Sequence, residues 1–220
     1  MEPVIRSFVV FLCLTVGSLS HAQQQFVQTP TPISTQEATK LLRDRVPLLV
    51  RLPSYENKLE FYRKKRSEDA TNATSYQRRI EQITTERDAE NRLLMDSLLR
   101  GYTLQPLQFF YDRDSRALRD GTAGLLLNKD FQPIENSRVP ERYLVLHVGE
   151  RIGGSGQSLG GIQVLDANYQ PLPFAVPSFS RRGGFGALWR SLGNRERARR
   201  KDVQRMIHRF QRKLSGYLEN

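Results

Sequence analysis

The spacing of the apolar residues changes at Gly101, and this change constrains the fold more than any other feature of the sequence. Before Gly101, apolar residues recur every three or four positions, which is typical of amphipathic helices. After it, apolar and polar residues tend to alternate, as from Leu107 to Tyr111, which is typical of strands with one buried face. Because the helical patterns come first and the strand patterns follow, the sequence predicts an α+β fold rather than a doubly wound α/β fold.

Three helices are predicted in the first half of the mature chain. A capping-box pattern, with Ser34 and Glu37 three positions apart, predicts a short helix that ends near Pro47. Two longer helices are predicted over residues 54–68 and 74–100, separated by a short segment of poor helix formers. The simplest arrangement of these two is an N-terminal helical hairpin. The alternative is a coiled coil, although the apolar seam breaks before three heptads are complete.

The second half of the chain is predicted to form a small, mostly antiparallel sheet of about five strands. The apolar segments are residues 107–111, 125–127, 143–148, 161–165 and 172–176. The predicted α+β domain therefore spans residues 34–176, with helices within 34–100 and strands within 103–176. A segment rich in Gly, Ser and Arg at 177–194 is predicted to be a linker, and a basic amphipathic helix is predicted at 195–218.

The first residues have the parts of a secretory signal peptide. A short start with one arginine precedes an apolar run at residues 7–19, and small residues stand at Ser20 and Ala22 before a polar sequence. The sequence therefore predicts a signal peptide at 1–22, cleaved after Ala22, and an exported protein of the periplasm or cell envelope. An uncleaved anchor is the alternative, but this run is too short to cross a bilayer as a helix. A polar segment at 23–33 is predicted to be a flexible lead-in.

Residues suited to metal or cofactor binding are few. Cys13 is the sole cysteine and lies within the predicted signal peptide, so the mature chain has neither a disulfide nor a thiolate ligand. His147 and His208 lie far apart in sequence, without a carboxylate at ligand spacing. His147 is predicted to be a hydrogen-bonded histidine of a strand, and Asp112 and Asp114 are predicted to lie in a solvated turn. No metal, cofactor or small-molecule substrate is therefore predicted.

One motif suggests hydrolytic chemistry. Residues Gly156–Gly160 match the G-x-S-x-G motif of serine hydrolases, and Asp166 and His208 follow Ser158 in the chain order of a catalytic triad. In that motif the serine stands between a buried strand and a helix, whereas here the strand-like segment 161–165 follows it. The segment is therefore predicted to be a loop between two strands, and a serine hydrolase is kept as an alternative function.

The C-terminal segment carries nearly all of the excess positive charge of the chain, whose net charge is +11. Between residues 181 and 213, twelve basic residues stand against Glu196 and Asp202. The basic residues are Arg181, Arg182, Arg190, Arg195, Arg197, Arg199, Arg200, Lys201, Arg205, Arg209, Arg212 and Lys213. The sequence predicts that they bind an anionic partner.

The helix predicted at 195–218 places its apolar residues on one face. These residues are Val203, Met206, Ile207, Phe210, Leu214 and Tyr217. Either this face packs on the sheet and the arginines lie in water, or the helix binds a partner. For an exported protein we expect that partner to be an anionic membrane surface or an acidic envelope partner. Nucleic acid is the alternative if the protein is not exported. The predicted function is that of a non-enzymatic envelope interaction or structural protein.

Four short motifs carry a resemblance to known sequences. They are Asn91–Met95 (NRLLM), Phe109–Tyr111 (FFY), Gly161–Asp166 (GIQVLD) and Pro171–Phe174 (PLPF). Together they resemble a loose group of uncharacterised exported bacterial proteins, over roughly residues 55–176. The resemblance implies export but no activity, and the basic C-terminal segment lies outside it.

Overall fold

Five helices and five strands are formed by the part of the chain that the computed structural model describes, residues 32–152, 158–181 and 195–219. The helices are α1 (Thr35–Arg43), α2 (Glu56–Glu68), α3 (Ala73–Gly101), α4 (Ser115–Arg119) and α5 (Arg195–Leu218). The strands are β1 (Leu48–Leu52), β2 (Leu107–Tyr111), β3 (Leu144–Ile152), β4 (Ser158–Leu165) and β5 (Phe179–Arg181). The α+β prediction is confirmed, and α2 packs against α3 as the predicted hairpin. The predicted signal peptide, nearly all of the lead-in and most of the linker lie outside the described residues.

The first two helices begin in different ways. The Ser34 hydroxyl accepts the N–H of Glu37 at 3.1 Å, so the predicted cap of α1 is confirmed. Helix α2 instead follows Tyr55, whose φ of 55° lies in the left-handed region that non-glycine residues rarely adopt. Ser54, the residue after Pro53 that the sequence predicts as the N-cap of this helix, lies one residue further upstream. Its hydroxyl accepts only a long hydrogen bond of 3.3 Å from the N–H of Glu56.

The sheet is mixed, with strand order β2-β1-β3-β4-β5. Strand β1 is parallel to both β2 and β3, whereas β3-β4 and β4-β5 are antiparallel. Half of the strand pairings are therefore parallel, whereas a mostly antiparallel sheet was predicted. Both parallel pairings involve β1, for which no strand was predicted. Its sequence, LLVRL, lacks the alternation of a half-buried strand because apolar residues on both of its faces are buried.

Two of the predicted strands are wrong. In segments 125–127 and 172–176 the structure has no regular strand. Leu127 forms isolated bridges in the first segment, and Pro171, which directly precedes the second, forms another. Strand β5 lies instead at the start of the predicted linker, 177–194, where it pairs with β4. Because β5 has only three residues, its pattern is too short to show a period.

The two sides of the sheet are covered differently. Leu48, Val50 and Leu52 of β1 point to one side, where they pack with buried residues of α1, α3 and α5. We call this side the helix face. Leu49 points to the other side and packs with Leu118 of α4 and with residues of the loops, and we call this side the loop face. The core is therefore divided by the sheet into two clusters.

Helix α5 is part of the core and not a separate arm. Met206, Ile207, Phe210 and Leu214 are each 2% exposed or less. The Phe210 ring stacks on Tyr102 with 5.8 Å between the ring centroids. A Cβ atom at Gly101 would lie 3.3 Å from the Ile207 side chain, so glycine at the end of α3 allows α5 to approach closely. The apolar face of this helix is therefore covered by the fold.

Candidate functional site

Exposed basic residues follow the side of α5 opposite to its buried apolar residues. Among the described side chains they are Arg200, Lys201, Arg205, Arg209, Arg212 and Lys213. Because residues four and seven positions apart share a helix face, Lys201, Arg205 and Arg212 form a stripe, with the exposed His208 between them. We call the six exposed residues the basic face. Within the described residues, Lys201, Arg205 and Arg212 form no ion pair with a carboxylate.

Arg199, which was predicted to bind a partner, instead connects α5 to the rest of the fold. Its guanidinium forms an ion pair with Glu90 of α3. The other oxygen of Glu90 accepts the hydroxyl of Tyr55 at 2.7 Å. Burial, followed by this hydrogen bond, raises the pKa of Tyr55 to about 12, so the phenol stays protonated at neutral pH. Arg199 therefore stabilises the start of α5, and the basic face begins after it.

The remaining predicted residues are only partly located. Arg181 belongs to β5, and Arg195 and Arg197 belong to the first turn of α5. Arg182 and Arg190 lie outside the described residues. The structure therefore assigns six of the twelve predicted basic residues to one exposed surface and one, Arg199, to a fold contact.

Hydrogen bonds hold both flanks of α5 in place. Gln211 accepts the backbone N–H of Thr103 at 3.0 Å and donates to its hydroxyl at 3.2 Å. The hydroxyls of Thr39 and Tyr217 lie 2.7 Å apart, which connects α1 to the last turn of α5. Because the helix is anchored in this way, its exposed charges are held in a fixed arrangement before any partner binds.

A cavity of about 350 Å³ lies on the helix face beside the Arg199–Glu90 pair. Its walls include apolar residues of α3 and α5, and Gly149, Gly160 and Gly161 of β3 and β4 also line it. This volume lies within the range of small-molecule sites, and the Tyr55–Glu90–Arg199 contact supplies polar groups at its edge.

The residues of the proposed catalytic triad have other positions in the structure. Ser158 begins β4, and the chain continues as a strand to Leu165, with no helix after the serine. Asp166 accepts the N–H groups of Asn168 and Gln170 at 2.9 and 2.8 Å, which closes a turn. The first two residues of the motif, at 156–157, lie outside the described residues. The part of the motif that is described therefore lacks the strand-to-helix turn of a hydrolase.

The acidic turn is less exposed to solvent than predicted, and the strand histidine differs in its hydrogen bonding. Asp112 is half-buried and accepts the N–H of Ser54 at 2.8 Å. Burial raises the pKa of Asp114. His147 is also half-buried, and its Nδ1 has no hydrogen-bond partner among the described residues, so the predicted hydrogen bond is not seen at this nitrogen. Burial, and then the charge of Arg51, lower the pKa of His147, so the ring is neutral at neutral pH.

Within ranges 32–152, 158–181 and 195–219, no three His, Cys, Asp or Glu residues come close enough to hold a metal ion. Among these residues there is also no helix with the length and apolar character needed to span a bilayer. No protein-family model, curated protein or solved structure matches the chain. Its function is therefore inferred from its own geometry and charge.

Proposed function

We propose that this protein is a non-enzymatic binding protein of the bacterial cell envelope, exported by a signal peptide that is cleaved after Ala22. It binds an anionic membrane surface or an acidic envelope partner through the basic face of α5. One observation supports the proposal most strongly: the apolar side of α5 is buried in the core while six basic residues on its other side are exposed. A folded helix with one charged side is suited to peripheral, electrostatic binding.

The geometry favours contact at the surface over insertion into a bilayer. Insertion of α5 would first require Ile207 and Phe210 to leave the core, where each is fully buried. Electrostatic contact requires no such change, and each basic residue near an anionic surface contributes about 1 kcal/mol. Several such residues on one side of α5 therefore supply several kcal/mol, which is enough for binding that is reversible and sensitive to salt.

Nucleic acid is the second candidate because the same stripe of cations would also bind phosphodiesters. The predicted export places the protein away from most nucleic acid, so we rank this candidate lower. The resemblance to exported bacterial proteins also favours an envelope location. A serine hydrolase is not proposed, because no helix follows Ser158.

The proposal is tested by sedimentation with vesicles, using a variant in which Lys201, Arg205, Arg209 and Arg212 are replaced by Gln. We expect the parent protein to sediment with phosphatidylglycerol vesicles and not with phosphatidylcholine vesicles, and to be released as salt rises. The variant should lose most of this binding and keep the thermal midpoint of the parent, since exposed charges contribute little to stability.

A matched control removes the same charge from other surfaces. Arg43, Arg78, Arg119 and Arg138 are exposed, and their replacement by Gln also lowers the net charge by four. This control should bind vesicles nearly as well as the parent. Equal losses in the two variants would mean that only net charge matters, and unchanged binding in the α5 variant would contradict the proposal. A parallel titration with duplex DNA measures the second candidate.

A further inference from the structure

Two neighbouring parallel strands, β1 and β2, have their carboxyl ends side by side. From these ends the chain continues to opposite faces of the sheet. From β1 it continues to α2 and α3, and α3 lies on the helix face. From β2 it continues through a 3₁₀ turn, Asp112–Asp114, to α4 on the loop face. Where the connections of adjacent parallel strands diverge in this way, a crevice opens at the carboxyl ends of the strands, and such crevices are recurrent ligand sites in α/β sheets.

The structure has a cavity of about 390 Å³ at the carboxyl ends of these two strands. Arg51 and the first turn of α2 line one side, and Asp112 and Arg113 line the other. The two sides are joined by the hydrogen bond from Ser54 N–H to Asp112 and by an ion pair of 3.0 Å between Arg113 and Glu56. These contacts therefore fix the two walls of the crevice relative to each other.

The residues that line the crevice carry a net positive charge. The cavity is lined by three cations, Arg51, Lys58 and Arg113, and by two carboxylates, Glu56 and Asp112. The Glu56 carboxylate is shared by Arg63 and Arg113, and Asp112 keeps its negative charge while one of its oxygens accepts a backbone N–H. By contrast, Arg51 and Lys58 form no ion pair with any described carboxylate. An anion would therefore find two cations without an ion-pair partner, whose charge the Asp112 carboxylate offsets only in part.

Arg51 also belongs to a row of polar side chains that crosses the loop face. In the strand register Arg51 pairs with His147, and His147 pairs with Gln163. Each has a buried nitrogen without a hydrogen-bond partner in the described part of the chain: Arg51 Nε, His147 Nδ1 and Gln163 Nε2. Arg51 Nε and Gln163 Nε2 are donors, and His147 Nδ1 is a donor or an acceptor according to the tautomer of the neutral ring. A buried polar atom without a partner is destabilising, and a row of three is unusual in a folded protein.

The position of the Arg51 guanidinium is supported from one side by an aromatic ring. It lies 5.6 Å from the centroid of Tyr169, whose hydroxyl donates to the carbonyl of Ser115 at 2.8 Å. The ring is therefore fixed, and Arg51 is held at the crevice before a ligand arrives.

We propose that this crevice binds the phosphate or carboxylate group of a small molecule, with Arg51 as the principal contact and Lys58 as a second cation. His147 and Gln163 extend the polar surface from Arg51 across the sheet. The site does not depend on the basic face, because none of its residues belongs to α5.

The test is an NMR titration of the mature protein with inorganic phosphate and, separately, with acetate, each compared with sodium chloride at equal ionic strength. We expect phosphate or acetate to shift the amide resonances of residues 54–58 and 112–113 and the ring resonances of His147. The stronger of the two anions identifies the chemical class. The exposed His208 lies on the basic face, so its ring resonances report separately on anion binding there.

Substitution at Arg51 should weaken the response. Arg51→Gln is expected to reduce affinity at least tenfold, because charge-assisted hydrogen bonds to an anion are lost. Arg116→Gln on α4, where the side chain is 89% exposed, is the matched control and should leave the affinity unchanged. Since Arg51 is half-buried, Lys58→Gln provides a second variant at an exposed position, with an expected loss of a few-fold.

Three results would overturn this proposal. The crevice resonances could respond no more to phosphate and acetate than to chloride, or Arg51→Gln and Lys58→Gln could both bind as the parent does. The anions could also shift only resonances of α5, in which case they bind the basic face. That last outcome refutes the crevice site and leaves the proposed function of α5 standing, so failures of the two proposals are distinguishable.

Discussion

Truncation of Phe210 tests whether α5 is held in the core, on which the proposed binding surface depends. The Phe210 side chain is fully buried and stacks on Tyr102, with an angle of 18° between the rings. Replacement of a buried Phe by Ala costs about 3–5 kcal/mol, because burial is lost and a cavity remains. Loss of the aromatic pair places Phe210→Ala toward the upper end of this range. For a domain stable by about 5–15 kcal/mol, this is a large fraction.

Urea denaturation followed by circular dichroism measures this effect. With a slope of about 2 kcal/mol per molar urea, a loss of about 4 kcal/mol lowers the midpoint by about 2 M. Arg209→Gln, one residue away on the exposed side, is the control and should change stability by less than about 0.5 kcal/mol. If Phe210→Ala kept the parental midpoint and lost vesicle binding, the apolar side of α5 would face the membrane and our description of the helix would be wrong.

Three further predictions concern pH, packing and export. Because burial and Arg51 lower the pKa of His147, the unfolded chain binds a proton below its usual pKa of about 6.5 that the folded protein does not. Stability should therefore fall as pH drops through about 6.5, and His147→Gln should reduce this fall in urea midpoints measured at several pH values. Gly161→Ala should lower the thermal midpoint, because its Cβ would lie 2.5 Å from a carbonyl oxygen of β5. Gly216→Ala in α5, with open space around it, should raise stability by up to about 1 kcal/mol, and the opposite order would contradict the packing described. N-terminal sequencing of the native protein should begin immediately after Ala22, and a retained first methionine would refute export.

Local patterns were sufficient to predict four of the five described helices and three of the five described strands. Helix α4, which has only five residues, was not predicted. The period of the apolar residues is a property of neighbouring positions, so α3 and the whole of α5 could be predicted from spacing alone. The same holds for β2, for the first part of β3 and for the last part of β4. The order of these segments determined the α+β class, because consecutive helices and consecutive strands segregate in the fold.

The centre of the sheet was decided by tertiary structure. Strand β1 is a short apolar run after Pro47, and nothing in its five residues distinguishes a strand from a helix end. Its identity comes from its two parallel partners, which are separated from it by more than fifty residues in sequence. A parallel pairing leaves no local signature such as a hairpin turn, so it could not be predicted from the chain alone.

The candidate sites divide in the same way. Composition alone determined that the C-terminal helix is strongly basic, because charge is carried by the residues whatever the fold. The structure decided which charges are available: it pairs Arg199 with Glu90, 109 positions away, and exposes Arg205. The crevice depends on tertiary structure completely, since Arg51 and His147 become neighbours only through the pairing of β1 with β3. Long-range contacts of this kind are set by how the elements pack together, and that information is spread over the whole chain.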